Sequence, residues 1–330
     1  MGRLRVTLGC GDYDRVEPLK DGRVRPEGVD LTFVPLEPEE LFFRMVRYQE
    51  FDASELSLAS YITGRAQGKE DFIAIPVFPS RMFRHSAIFV HAGAGIEKPE
   101  DLKGRRVGVG EYQMTAIVWV KGILSDDYGV KASDIHWFTG GQEQPGREER
   151  LPLQLPSEIR LEPIPKDKTL SRMLEEGELD AVIAARTPSP FLRGSPKVKR
   201  LFKDPMEVEK DYFQRTGTFP IMHTVALRQA LYDAEPWLAV SLYKAFNQAQ
   251  EISWRGIRGA PAVRYKLAWL QHYLEQEEEF LGKQAWANGV DHNRKTVETL
   301  SRYIVEQGMA KETPPFEELF ASNTLDEFKI

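Results

Sequence analysis

The groups in this chain that could do chemistry are six histidines, one cysteine and a few arginines placed where loops meet strands. The histidines are His85, His91, His136, His223, His272 and His292. No HExxH or paired-cysteine motif accompanies them. His85 and His91 fall on one face of an expected strand, and at ~3.3 Å per residue they stand about 20 Å apart, too far to share a metal. The expectation is therefore no metal. Cys10 alone excludes an internal disulfide and a Cys-rich zinc site. It reads as a small buried residue at a strand end, with a reactive thiol as the alternative. There is no P-loop and no GxSxG, and no nucleophilic triad assembles by spacing.

What remains is a cationic, histidine-containing cleft. Arg81, Arg84 and Arg186 suit a carboxylated ligand, because a guanidinium meets a carboxylate in a two-pronged fork. His85 and His223 are the groups most able to move protons near neutral pH, though each reads equally as a hydrogen-bonded structural residue.

The elements that must position these groups follow from pattern. The stretch Pro76 to His91, PVFPSRMFRHSAIFVH, reads as a proline-containing loop that turns into a buried strand at Ser86 to Val90. Leu4 to Leu8 alternates as a first strand, and Gly9 to Asp14 follows as a turn able to contact a ligand. Val29 to Leu36 reads as a second strand, and Pro38-Glu39-Glu40 opens a helix with acids suited to its N-terminus. Leu31 to Ala53 aligns without a gap on Ile159 to Ala181, pairing Pro35 with Pro163, Met45 with Met173 and Asp52 with Asp180. Each copy reads strand, helix, turn, strand, which predicts two lobes of similar topology with right-handed crossovers in mostly parallel sheets. Glu55 and Arg186 follow the two copies on the side where such sheets bind ligands. Glu55 reads equally as a helix N-terminal acid, and Arg186 as a surface ion-pair partner.

A further strand, Arg105 to Val109, leads through a polar turn into an apolar helix at Ala116 to Leu124. Free N–H groups at such a helix start attract anions, and Tyr112, Gln113 and Thr115 add side-chain donors. Gly140 to Pro156 is polar and rich in Gly and Pro, and reads as a surface excursion. Phe219 to Leu227 reads as a strand returning to the first lobe. From Pro236 onward the pattern is helical, including Ala262 to Phe280 and Asn293 to Gln307.

Length and composition set the bounds. A chain of 330 residues with 42% hydrophobic and 28% charged residues is an ordinary globular protein large enough for two lobes. A net charge of −6 offers no footprint for nucleic acid. No run approaches the ~20 apolar residues of a membrane span. The N-terminal MGRLRVTLGC lacks the apolar core of a signal peptide, so a cytoplasmic location is expected. The expected boundaries are residues 1–91 with 219–330 for the first lobe and 92–218 for the second. The sequence leaves a homo-oligomer open.

Several blocks, PVFPSRMFRHSAIFVH, EDLKGRRVGVGEYQMTAIVWVKGIL, GELDA, TGTFPIMH and WANGVDHNRKT, resemble the 4,5-dihydroxyphthalate decarboxylase family over nearly the whole chain. The resemblance implies a two-lobed α/β fold of the type II periplasmic-binding-protein kind, with a mixed, mostly parallel sheet in each lobe and a ligand cleft between them. The chain departs from the family pattern at Gly110 and at Ala287-Asn288, which bears on substrate choice. The implied activity is decarboxylation of a hydroxylated aromatic acid without a cofactor, its ligand a small aromatic carboxylate. His85 or His223 would transfer the proton. Arg81, Arg84 and Arg186 would anchor carboxylate, Glu55 would contact the ligand, and Tyr112, Gln113 and Thr115 would bind from the second lobe. Two alternatives stand beside it: a receptor for a small aromatic carboxylate, since fold does not imply function, and a decarboxylase of another hydroxyaromatic acid.

Overall fold

The computed structural model describes residues 2–149, 151–259 and 261–325. In chain order the strands are β1 (Leu4–Cys10), β2 (Val29–Pro35), β3 (Ala53–Ser57), β4 (Phe72–Arg81), β5 (Ile88–His91), β6 (Arg106–Val109), β7 (His136–Thr139), β8 (Arg160–Pro163), β9 (Ala181–Ile183), β10 (Val198–Arg200) and β11 (Ile221–Arg228). They form two mixed sheets, ordered β2-β1-β3-β11-β4 and β10-β5-β9-β6-β7-β8.

The sheets share a plan. In the first, β1 lies between two parallel partners, β2 and β3, and β11 enters antiparallel between β3 and β4. In the second, β6 lies between parallel β7 and β9, and β5 enters antiparallel between β9 and β10. Each sheet thus takes one strand from beyond a chain crossing. The central strand β3 is buried at all five residues, as a strand covered on both faces must be. The internal repeat holds for the helices Pro38–Tyr48 and Leu170–Glu176 and for the strands that follow them, β3 and β9. It fails for the preceding strands. β2 pairs with β1, whereas β8 lies outside β7 as an added edge.

Three expectations need correction. Residues 76–81 are strand rather than loop. β4 runs through Pro76 and Pro79 because it is an edge strand whose register against β11 slips between Ile75, opposite Val225, and Ser80, opposite His223. Prolines are tolerated at such bulges, where no ladder N–H is needed. The freed groups are met from outside: Gly289 N–H donates to the Pro76 carbonyl, Asn288 Oδ1 accepts from Phe78 N–H at 2.9 Å, and Arg15 donates to the Pro79 carbonyl. Secondly, β5 belongs to the second sheet, so the chain crosses at residues 82–87 rather than after His91. His85–Ala87 form a 3-10 turn there. Thirdly, the helix expected from Ala262 is confined to Leu270–Leu281, with bends and turns over 262–269. No helix among the described residues is long and apolar enough to cross a membrane.

Candidate active site

A cavity of about 390 Å³ lies between the two sheets. Gly11, Tyr13, Ser57, Ser80 and His223 line it from the first sheet and its turns, and Thr115 and Arg186 from the second side. At its floor, Nδ1 of His223 meets Oε1 of Glu55 at 2.5 Å. The register explains the meeting. On the paired strands, Glu55 stands opposite Val225 and Ser57 opposite His223, so Glu55 and His223 are diagonal neighbours on one face.

Glu55 is fully buried. Its carboxyl also accepts from the Gly11 N–H at 2.8 Å and the Tyr13 hydroxyl at 3.0 Å. Burial pushes this carboxyl up. The charge of His223 and its hydrogen bond, together with Gly11 and Tyr13, outweigh burial and hold it below its ordinary value. An acceptor-only carboxylate places the imidazole proton on Nδ1. Nε2 meets no protein partner among the described residues, and is the atom left to exchange a proton with a bound molecule. Phe42 packs edge-on against the ring, with centroids 4.8 Å apart. Burial, then the charge of Glu55, raise the Tyr13 phenol, so it stays a donor.

Arg84 supplies the positive charge. It is buried and lines the cavity, yet among the described residues its guanidinium meets only the Met222 sulfur at 3.1 Å and the Ala185 carbonyl at 3.4 Å. Nη2 has no protein acceptor among the described residues. Burial lowers its pKa to about 10, opposed by Glu209, so it remains cationic at neutral pH. A buried cation without a bonded carboxylate is costly unless a ligand completes it.

Contacts that close the second side over this floor include those of Thr115, Arg186 and Arg147. Thr115, opening the helix Thr115–Tyr128, shares a 2.8 Å hydrogen bond with Ser57 and accepts from the Ala59 N–H at 3.0 Å. Arg186 reaches Glu37 at 2.8 Å. Arg147 joins Glu39 at 3.1 Å to the buried Glu111 at 2.6 Å.

The remaining sequence candidates lie elsewhere. His85 is buried in a box formed by Phe202, Tyr212 and the Glu209 carboxylate, 3.9 Å from Nδ1, and neither ring nitrogen has a hydrogen-bond partner. Burial, opposed by Asp127, lowers its pKa to about 4, so it is neutral at pH 7. Arg81 donates to the Ala287 carbonyl at 2.9 Å and to Asn293 Oδ1 at 2.6 Å, tying the 287–293 turn to β4. Burial lowers its pKa to about 9. Tyr112 and Gln113 are buried behind the cavity wall. The Tyr112 hydroxyl donates to the Gln307 carbonyl at 3.1 Å, and the Gln113 amide to Glu149 at 3.1 Å.

Residues that sequence reasoning left out include Tyr13, Ser80, Met222 and Phe42. Tyr13 sits in the Gly9–Asp14 turn already singled out. The others carried no signal, since an isolated serine, methionine or phenylalanine in an apolar run reads as packing. Among the described residues no three His, Cys, Asp or Glu side chains are grouped to hold a metal ion.

Two mixed sheets, two chain crossings and a cavity between the sheets define a two-lobed binding-protein scaffold of the type II periplasmic class. Solved structures agree on the fold. A sulfonate-binding SsuA protein from Methylobacillus flagellatus superposes with a TM-score of 0.56 at 12% identity, covering 97% of this chain and 92% of that one. The ligand-binding component of an ABC-type import system from Staphylococcus aureus gives 0.51 at 11% identity, covering 98% and 99%. The chain belongs to the 4,5-dihydroxyphthalate decarboxylase family. It is 42% identical over 330 residues to the Comamonas testosteroni 4,5-dihydroxyphthalate decarboxylase, covering 100% of both chains. It is 48% identical over 214 residues to the enzyme of the same name from Pseudomonas putida, covering 65% of this chain and 83% of that one. No family model matches the chain.

Proposed function

We propose that this protein converts 4,5-dihydroxyphthalate to 3,4-dihydroxybenzoate and CO2, with His223 as the proton donor and Glu55 as the residue that orients it. The carrying observation is the Glu55–His223 pair opening onto a cavity that also presents the incompletely paired cation Arg84. Family membership supports the substrate.

In this substrate each carboxylate is para to a phenol. Direct loss of CO2 would leave an aryl carbanion. Protonation of the carbon that bears the departing carboxylate avoids it. His223, as the imidazolium with its Nδ1–H held by Glu55, delivers its Nε2 proton to that carbon while the para oxygen becomes ketonic and yields its hydrogen to an acceptor. The C–C bond then breaks, its electron pair restores the aromatic ring, and the oxygen regains a proton. The net change is one proton consumed and one CO2 released. Arg84 holds the carboxylate that stays, and Tyr13 and Ser80 offer hydrogen bonds to the catechol edge. The Thr115 contact and the Arg186 and Arg147 ion pairs hold the second side closed over the reaction and keep water out. The lobes divide, in this reading, at the crossings 82–87 and 201–220. A receptor needs no buried carboxylate–imidazole pair at its ligand, which disfavours a binding-only role.

The test is to incubate chelator-treated protein with 4,5-dihydroxyphthalate and follow 3,4-dihydroxybenzoate and CO2. Turnover that disappears in His223→Gln supports the reading. No product, with metal restored as well, overturns it.

A further inference from the structure

Behind Phe42 lies a second, smaller pocket. It holds about 80 Å³ and is walled chiefly by Phe42, Val46, Leu56, Phe72 and Leu151, between the helices Pro38–Tyr48 and Leu58–Ala66. Phe42 and Ser57 line both this pocket and the main cavity, so the partition between them is one side chain thick. The far end reaches the surface at the exposed Lys69 and Asp71. A water molecule takes about 30 Å³ of liquid volume, and CO2 is little larger. The pocket has room for a molecule of CO2's size.

We propose that this pocket is the station through which CO2 leaves, an inference that rests on the decarboxylase reading above. A cation opposes loss of the carboxylate it holds, so the group on Arg84 stays. The departing group must lie beside the proton donor, and the ring edge next to His223 is Phe42. Once the C–C bond breaks, the charged carboxylate becomes a small neutral molecule. It needs no ionic partner and partitions to the apolar side of the Phe42 partition, while the aromatic product stays on Arg84. A rotation of Phe42 about its side-chain bonds opens the way. Departure behind Phe42 also limits recapture by the rearomatised product ring.

Two filled variants and one gas probe test the route. At Gly64 an added Cβ meets only Leu151 Cδ1 and Lys69 Cδ, both at 3.9 Å, so Gly64→Leu projects into the pocket without a clash at its base. Val46→Phe fills it from the other helix. In variants with wild-type thermal melting, kcat should fall about 10-fold with KM kept within about twofold, as release becomes limiting. The solvent deuterium isotope effect on kcat should shrink toward one, and incorporation of dissolved 13CO2 into substrate should fall in parallel. Xenon-pressurised wild-type crystals should show xenon between Phe42 and Leu151. Unchanged kcat in both folded variants, slower turnover with an undiminished isotope effect, or no xenon at that position overturns the route. Absence of CO2 release by the wild-type protein overturns the decarboxylase reading and the route with it. Normal wild-type release with unaffected filled variants overturns the route alone.

Discussion

Glu55 Oε1 lies 2.5 Å from His223 Nδ1, although 168 residues separate the two in sequence. Strands β3 and β11 bring them together as diagonal neighbours, and the buried carboxylate also accepts from Gly11, Tyr13 and the Cys10 thiol. The imidazole is thereby fixed in both tautomer and direction, with one nitrogen free for the substrate.

Loss of the donor should be at least as costly as loss of its support. His223→Gln should lower kcat by ~100-fold or more, the usual contribution of a positioned acid. Glu55→Gln keeps the size but removes the charge, and should lower kcat on the order of 10- to 100-fold with little change in KM. Steady-state rates on 4,5-dihydroxyphthalate decide both. A His223→Gln enzyme with wild-type kcat would end this assignment.

Glu55 also carries a pH signature in stability. Its folded-state value is depressed, so its contribution is fully present above the unfolded value, about 4.3, and is lost as pH falls through the folded value. The stability difference between wild type and Glu55→Gln should shrink as pH falls below about pH 4. Urea unfolding at a series of pH values measures it.

Arg84 should decide affinity and orientation. Arg84→Met removes the cation that holds the retained carboxylate, and kcat/KM should fall on the order of 100-fold, as when one partner of a buried charge pair is truncated. Arg84→Lys keeps the charge and loses the fork, so it should recover only part of that loss. An Arg84→Met enzyme with unchanged KM and kcat would move the anchor elsewhere.

His85 should behave as a packed neutral ring. Its folded value is about 4 against an ordinary 6.5, because burial disfavours the charged form. Above about pH 6.5 both folded and unfolded rings are neutral and the residue adds no pH dependence. As pH falls from 6.5 to 4 the unfolded chain takes up a proton that the folded chain refuses, so stability drops, by on the order of 3 kcal/mol at most. His85→Leu should keep kcat within about threefold and flatten the stability profile between pH 6.5 and 5. A kcat loss of the size expected for His223 would instead restore His85 to the proton path.

The ion pairs at the cavity mouth should tune closure weakly. Arg186 and Glu37 are both exposed, at 56% and 75% of their side-chain surface, so the pair contributes about 1 kcal/mol or less and is screened by salt. Glu37→Gln should raise KM by about two- to fivefold at low ionic strength and abolish most of its salt dependence. Arg147, which clamps Glu39 to buried Glu111, should matter more. Equal effects of Arg186→Ala and Arg147→Ala would contradict this ranking.

The sequence by itself determined the strand–helix alternation, the helix–strand half of the repeated unit, and the strands and helices that carry the site, because these follow from local periodicity. It also singled out Glu55, His223, Arg84 and Thr115, which the structure brings to one cavity or its floor. It offered no way to separate them from Arg81, His85, Tyr112 and Gln113. Arg81 and Arg84 are three residues apart and chemically alike. Arg81 ends an edge strand and turns toward Asn293, whereas Arg84 lies in the crossing and faces the cavity. His85, the next residue, enters a 3-10 turn and swings into the Phe202–Tyr212 box. Those directions are set by the β4 bulge, by the pairing of β3 with β11, and by the place where the chain changes sheets. Each is a contact between distant segments, so only tertiary structure decides which charged groups are buried beside one another and which pack alone.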